Sequence, residues 1–188
     1  MAEKKKILYI VEAMGGGVFT YIVDLTNELV DTYDMYIAYA VRKQTPSNYK
    51  DYFDKRIHLI EVKNFARAIN ATKDIAAFFE IRKIAKEIKP DIIHLHSSKA
   101  GALGRFAFSG KRVPLFYTPH GYSFLMQNSS EAKRKIYKGI LDFLFIKQQN
   151  KPTADRLSQS TVGLCYPPIL FVAPFLWVKT ELSKVSYI

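Results

Sequence analysis

The residues of this sequence whose types and spacing could do chemistry are three histidines, a glycine triplet and a Ser-Ser-Lys run. His94 and His96 stand two apart, so on a strand both imidazoles share one face. A third and fourth metal ligand would have to come from His58, His120 or a carboxylate with no supporting spacing, and no metal site is expected. The reading is instead that one histidine is packed and hydrogen-bonded while the other lines a pocket. Ser97 and Ser98 suit a helix N-cap, and Lys99 and Arg105 place positive charge where a phosphate would meet it. His120 sits between Pro119 and Gly121, where the backbone turns sharply and a ligand can reach an imidazole that titrates near neutrality. Gly15, Gly16 and Gly17 let a backbone approach a ligand closely and leave free N–H groups at a helix start; a plain tight turn is the alternative. The spacing Gly15-x-Gly17-x-x-Thr20 lacks the third glycine of the dinucleotide fingerprint. Glu12 is either a pocket carboxylate or a surface one. No Ser-His-Asp or Cys-His arrangement has support.

The elements that must position these groups alternate between strand and helix. Ile7 to Val11 is an unbroken apolar run, as for a strand covered on both faces. Val18, Ile22, Leu25 and Leu29 then recur at helical spacing. Strands are predicted over Met35–Val41, Ile57–Val62, Asp91–His96 and Pro114–Thr118. Helices are predicted over Lys73–Lys89, with an apolar stripe of Ile75, Phe78, Ile81, Ala85 and Ile88, over Ala100–Phe108, and over Glu131–Phe145. Pro90 stops the first of these. Such alternation means βαβ units and a mostly parallel, Rossmann-like α/β sheet with flanking helices. Ligands of such sheets bind beyond the carboxyl ends of the strands, where all the groups named above gather.

With 188 residues and 48% apolar composition the chain can bury a core, which excludes wholesale disorder. The single cysteine, Cys165, excludes an internal disulfide framework and a four-cysteine zinc site. The run Ile7–Val11 is too short for a signal-peptide core. Of the formal charge of +11, the excess lies in residues 61–150, with sixteen basic and seven acidic side chains, and is densest from Arg82 to Lys138. A field of that sign favours polyanions. For Arg82, Lys83, Lys86 and Lys89 a solvated helix face is the alternative. Nucleic acid is not an expected partner, since no recognised module is present. The expected division is a Rossmann-like domain over residues 1–147 and an atypical tail over 148–188. That tail includes an uncharged stretch from Leu157 to Val178, interrupted by Pro167, Pro168 and Pro174, which argue against a straight membrane-spanning helix.

Taken jointly, the Gly15-Gly16-Gly17 loop, the run from Asp91 through His96 to Gly101, and Thr118-Pro119-His120-Gly121 resemble the amino-terminal half of a family-4, GT-B fold glycosyltransferase of the bacterial cell-surface polysaccharide type. The resemblance covers about Lys5 to Phe145. It implies sugar transfer from a nucleotide-sugar donor to a lipid-linked saccharide acceptor, with no cofactor, at the cytoplasmic face of the cell membrane. His120 would be the cleft histidine that contacts the transferred sugar. Gly15, Gly16 and Gly17, with His96, Ser97, Ser98, Lys99 and Gly121, would line the substrate site. The basic segment would give a peripheral contact with anionic membrane. The donor-side pair of glutamates separated by seven residues is absent, since Glu80 and Glu87 have six between them and lie in the wrong half. The resemblance thus implies that this chain carries only the acceptor half and is inactive alone.

Two other readings remain open at this stage. One is a non-catalytic docking subunit that works with a separate donor domain. The other is an NADP-linked reductase or epimerase, prompted by the glycine loop with Arg42 and Lys43; the missing third glycine and the absence of a Tyr-x-x-x-Lys pair count against it.

Overall fold

The computed structural model describes residues 3–66, 70–108, 112–120, 131 and 135. Five strands, β1 (Lys6–Met14), β2 (Asp34–Val41), β3 (His58–Glu61), β4 (Ile92–His96) and β5 (Leu115–Thr118), form one sheet in the order β3-β2-β1-β4-β5. Every pairing is parallel. The chain steps outward from β1 on one side, then returns to build the other side from β4. The order therefore reverses between β1 and β4, the point beyond whose strand ends open α/β sheets bind their ligands.

Among the described residues three α-helices cover the sheet: α1 (Gly16–Leu29), α2 (Ala71–Ile88) and α3 (Ser98–Ala107). Alternation along β1 sorts its side chains between two cores. Ile7, Tyr9 and Val11 pack with Ile22, Leu25 and Leu29 of α1. Leu8 and Ile10 face the other way, into a core with Ala77, Ile81 and Ile84 of α2 and Ala100 of α3. Because both faces are covered, β4 is buried at every position. Fully burying one such aliphatic side chain stabilises by about 1.5–3 kcal/mol. The crossover from β2 to β3 contains no α-helix; a 3₁₀ turn at Tyr49–Tyr52 stands in its place, with Phe53 and Ile57 filling the core beside α1.

Several bounds differ from those expected. β1 runs on to Met14, so Glu12 lies within the strand and only Gly15 remains between β1 and α1. α2 starts at Ala71, two residues early, because the Asn70 side chain accepts a hydrogen bond from the Lys73 N–H at 3.0 Å. It ends with Lys89 in the left-handed region, at φ 54°, ahead of Pro90. The apolar stripe of α2 holds at Ile81, Ala85 and Ile88, which pack in the core, but not at Ile75, which is 59% exposed; Ala77 and Ile84 are buried there besides.

α3 approaches the sheet unusually closely through its two glycines. A Cβ on Gly104 would stand 2.3 Å from a Leu95 methyl, and one on Gly101 would stand 2.4 Å from the Tyr117 ring. Glu131 and Lys135, one helical turn apart, form an ion pair of 3.0 Å. Gly121, residues 136–145 of the last expected helix, and the tail over 148–188 lie outside the described residues.

Candidate functional site

Three strand ends and the start of α1 meet at the carboxyl edge of the sheet. His94 and His96 project from β4 onto the face covered by α1, beside Tyr9 and Val11 in the adjoining register of β1. Their rings lie 4.0 Å apart, centroid to centroid. Both are buried, His96 completely, where one had been expected to line a pocket. Nε2 of His94 lies 2.9 Å from the hydroxyl of Thr118 at the end of β5. Nδ1 of His96 lies 3.0 Å from Nε2 of His120, which follows β5 by two residues. The His120 ring stacks against His96 at 5.2 Å and meets Tyr21 of α1 edge-on at 4.9 Å. Tyr21 follows Gly17 by four residues, about one helical turn, so His120 lies beside the glycine end of α1.

Burial sets the charge of these rings. It lowers the pKa of His120, a residue that is exposed overall but whose ring is largely desolvated, to about 4. It also lowers that of His94 to about 3, with a smaller contribution from His120. His96 is pushed well below its ordinary value, first by burial and then by its two histidine neighbours. All three are neutral at physiological pH. They serve as hydrogen-bond donors and acceptors, not as cations.

Gly15 is extended, at φ −168°, and occupies the N-cap position of α1 with no side chain to cap it. Gly16 follows at φ +56°, the left-handed region that favours glycine. A Cβ at Gly16 or Gly17 would meet nothing within 4 Å, whereas one at Gly15 would press on Gln44 at 3.1 Å. The first turn of α1 thus presents bare backbone to open space, and Gly15 is fitted against the β2 loop.

Between these features lies a polar knot. Glu12, 7% exposed, forms an ion pair with the Arg42 guanidinium, and the Arg42 Nε–H donates to the Glu12 carbonyl at 3.2 Å. The Ser97 hydroxyl donates to the other carboxylate oxygen of Glu12 at 3.4 Å. Thr45 ties in by donating to the Met14 carbonyl and accepting from the Arg42 N–H. Glu12 is therefore a buried carboxylate that joins the ends of β1, β2 and β4. Arg42 is committed to it, so it does not stand ready for a ribose phosphate; Lys43 is exposed.

Ser97 is the N-cap residue of α3, yet its side chain makes no capping bond. Its backbone sits at φ 80°, ψ 158°, a region almost confined to glycine and costing about 1–3 kcal/mol. The Ser97 N–H donating to the Thr118 carbonyl at 3.0 Å holds it there. His120, at φ 55°, is a second left-handed residue at the same edge. Strain of this kind, gathered where strand ends adjoin, is characteristic of functional edges. Ser98 begins α3. Lys99 points away from this centre: its ammonium pairs with Asp74 of α2 at 2.6 Å and donates to the Ala66 carbonyl. Arg105 lies 4.2 Å over the Tyr117 ring. Among the described residues no cluster of three or more side chains is arranged to hold a metal ion.

The parts of this site that sequence reasoning did not name are Tyr9, Tyr21, the bond of Thr118 to His94, and the partnership of Glu12 with Arg42. Each acts through a contact between distant segments. The only local signal was the position of Arg42 at a strand end.

Residues 15–153 match glycosyltransferase family 4. The chain belongs to that family. Two relatives carry the likeness into named proteins. One is the UDP-Gal:α-D-GlcNAc-diphosphoundecaprenol α-1,3-galactosyltransferase of Escherichia coli, 36% identical over 97 residues, which are 51% of this chain and 24% of that protein. The other is an uncharacterized 41.2 kDa protein in the cps region of Klebsiella pneumoniae, 33% identical over 138 residues, which are 70% of this chain and 35% of that protein. The chain thus spans about a quarter to a third of the curated relatives it matches. Among solved structures, sucrose-phosphate synthase from Thermosynechococcus elongatus superposes with a TM-score of 0.57 at 12% identity, over 76% of this chain and 40% of that one. A UDP-N-acetylglucosamine 2-epimerase does so with a TM-score of 0.50 at 17% identity, over 80% and 46%. Both share the Rossmann-like fold of this family-4 chain.

Proposed function

We propose that this family-4 chain is the acceptor-side domain of an enzyme that transfers a sugar from a nucleotide-sugar donor to a lipid-linked saccharide in cell-surface polysaccharide synthesis. The observation that carries the reading is the juxtaposition of His120 with the bare glycine turn of α1 at the strand-order reversal. Support comes from the Escherichia coli relative, whose name states a UDP-sugar donor and a diphosphoundecaprenol-linked acceptor.

On this reading Gly16 and Gly17 admit the diphosphate or acceptor to within backbone distance, and the free N–H groups at the start of α1 favour its negative charge. His120, neutral and held by His96, offers a hydrogen bond to the sugar being transferred. His96 and Ser97 shape the cleft wall from behind, while Ser98 flanks it. Lys99, engaged by Asp74, contributes by fixing α3 to α2.

The reading also places the chain in the cytoplasm, peripheral to the inner face of the membrane, because its acceptor is held there. The exposed side of α2 suits that contact. Ile75 and Phe79, 59% and 63% exposed and one turn apart, are followed on the same side by Arg82, Lys83 and Lys86. Among the described residues no helix is long and apolar enough to cross a membrane.

The test supplies the chain with labelled UDP-sugars, a polyprenyl-diphosphate-linked saccharide and a family-4 donor domain in trans. Label passing into the lipid fraction is expected. Failure with every sugar tried, while the donor domain binds its nucleotide, would contradict the reading.

A further inference from the structure

The histidine pair at the centre of the site has a directional consequence. Nδ1 of His96 and Nε2 of His120 lie 3.0 Å apart, so one must carry the proton and the other must accept it. The remaining nitrogen of His96, Nε2, is buried and has no hydrogen-bond partner among the described residues. The ring has no exposure at all, and its neighbours are aromatic: Tyr9 at 4.7 Å, Tyr21 at 6.1 Å and His94 at 4.0 Å.

Two neutral arrangements satisfy the pair. In the first, His120 donates from Nε2 and His96 accepts at Nδ1. The proton of His96 then sits on Nε2, as a buried N–H with no acceptor, which folded proteins almost never tolerate. In the second, His96 donates from Nδ1. Its Nε2 keeps only a lone pair, and the proton of His120 is forced onto its Nδ1. A doubly protonated ring is disfavoured, because burial lowers all three histidines below neutrality.

We propose that His96 is a positioning residue that fixes the tautomer of His120: its Nδ1–H donates to Nε2 of His120 and leaves the Nδ1–H of His120 as the donor offered to a sugar oxygen. The sugar oxygen rests on the sugar-transfer reading; the tautomer does not. His94 supports the arrangement from behind, its ring packed at a tilt against His96 and hydrogen-bonded to Thr118. His120, with its backbone at φ 55°, meets His96 through Nε2, and its Nδ1, across Cε1 from that nitrogen, points in a different direction. A ring donating from Nδ1 makes a fixed, directional bond to a hydroxyl. The other tautomer would present a lone pair there and could hold a hydroxyl only as the donor, reversing the direction of the bond.

The experiment is a two-bond ¹H–¹⁵N correlation spectrum of the ¹⁵N-histidine-labelled chain at pH 7.5, with His96 and His120 assigned. The expected result is His120 protonated at Nδ1 and bare at Nε2. Two variants extend it. His96→Asn places an amide N–H where Nδ1 stood and is expected to keep the His120 tautomer, while His96→Leu removes the donor and is expected to release it. In transfer assays with the donor domain supplied, His96→Leu lowers kcat/KM roughly tenfold, the scale on which outer hydrogen-bond partners act, and His96→Asn recovers most of the loss. An Nε2–H tautomer of His120 in the unaltered chain would overturn the inference whatever the activity. The expected tautomer without any sugar transfer would support the pairing and count against the transferase reading alone. Should His96→Leu fail to fold, the spectrum of the unaltered chain still decides.

Discussion

At the scale of single residues the site is organised by burial more than by charge. His94, His96 and His120 are ordinary imidazoles made neutral by their surroundings, and that neutrality links them to stability. As pH falls from 6.5, the unfolded chain takes up protons on these histidines before the folded one does, because the folded pKa values of His120 and His94 are lowered to about 4 and about 3. Stability contributed in this way is complete above about pH 6.5. It is lost progressively as pH falls toward 4, at up to about 1.4 kcal/mol per pH unit for each fully buried ring. Denaturant unfolding between pH 8 and 4.5 is expected to show a plateau and then a decline beginning near 6.5. His94→Gln, which keeps a hydrogen-bonding group beside Thr118 but cannot titrate, is expected to flatten that decline. A curve unchanged by this variant would mean that other groups govern the acid limb.

At the scale of elements, much of the frame was legible from periodicity, and the misplacements have local causes. All five strands were readable because each is a short apolar run between breakers. The stripe of α2 was assigned correctly at Ile81, Ala85 and Ile88 but wrongly at Ile75, which shares their helical spacing yet is exposed. The glycine loop was expected to be longer because nothing local shows that β1 continues through Glu12. What extends it is Arg42, thirty residues on, holding both the carboxylate and the carbonyl of Glu12. The role of Gly101 and Gly104 was likewise invisible, since only the tertiary structure shows α3 resting on Leu95 and Tyr117. Gly104→Ala is expected to destabilise the fold by about 1–3 kcal/mol, despite the roughly 1 kcal/mol of helix propensity that alanine adds. Leu95, fully buried, has nowhere to retreat. A midpoint in urea equal to or above that of the unaltered chain would contradict this close packing. Locating His120 at the carboxyl edge was possible from the sequence, since it stands directly after a strand; its tether to His96 was not, because the two are linked only through the β4–β5 register.

At the scale of the whole molecule, the two sides of the sheet have different duties. The carboxyl edge gathers the histidines, the glycine turn and the strained Ser97. The exposed side of α2 carries apolar groups followed by cations, a composition suited to an anionic bilayer. Binding to anionic vesicles is expected to weaken with salt, because exposed charges are screened over about 8 Å at physiological ionic strength. Reversing Arg82 and Lys86 to glutamate is expected to lower the affinity at least about fivefold for each charge, taking about 1 kcal/mol per basic residue near the surface. Equal binding to neutral and anionic vesicles would contradict it. The central claim is that the His120 edge is where sugar is transferred, and the measurement that bears on it most directly is the rate of labelled sugar transfer to the lipid-linked saccharide with and without the His120 ring, donor domain supplied. His120→Ala is expected to lower kcat by about 10²-fold, the usual cost of losing one preorganised donor, and to lower the thermal midpoint as well, since the buried His96 ring loses its hydrogen-bond partner at a cost of about 1–3 kcal/mol. A folded His120→Ala chain that transfers sugar at the unaltered rate would contradict the account.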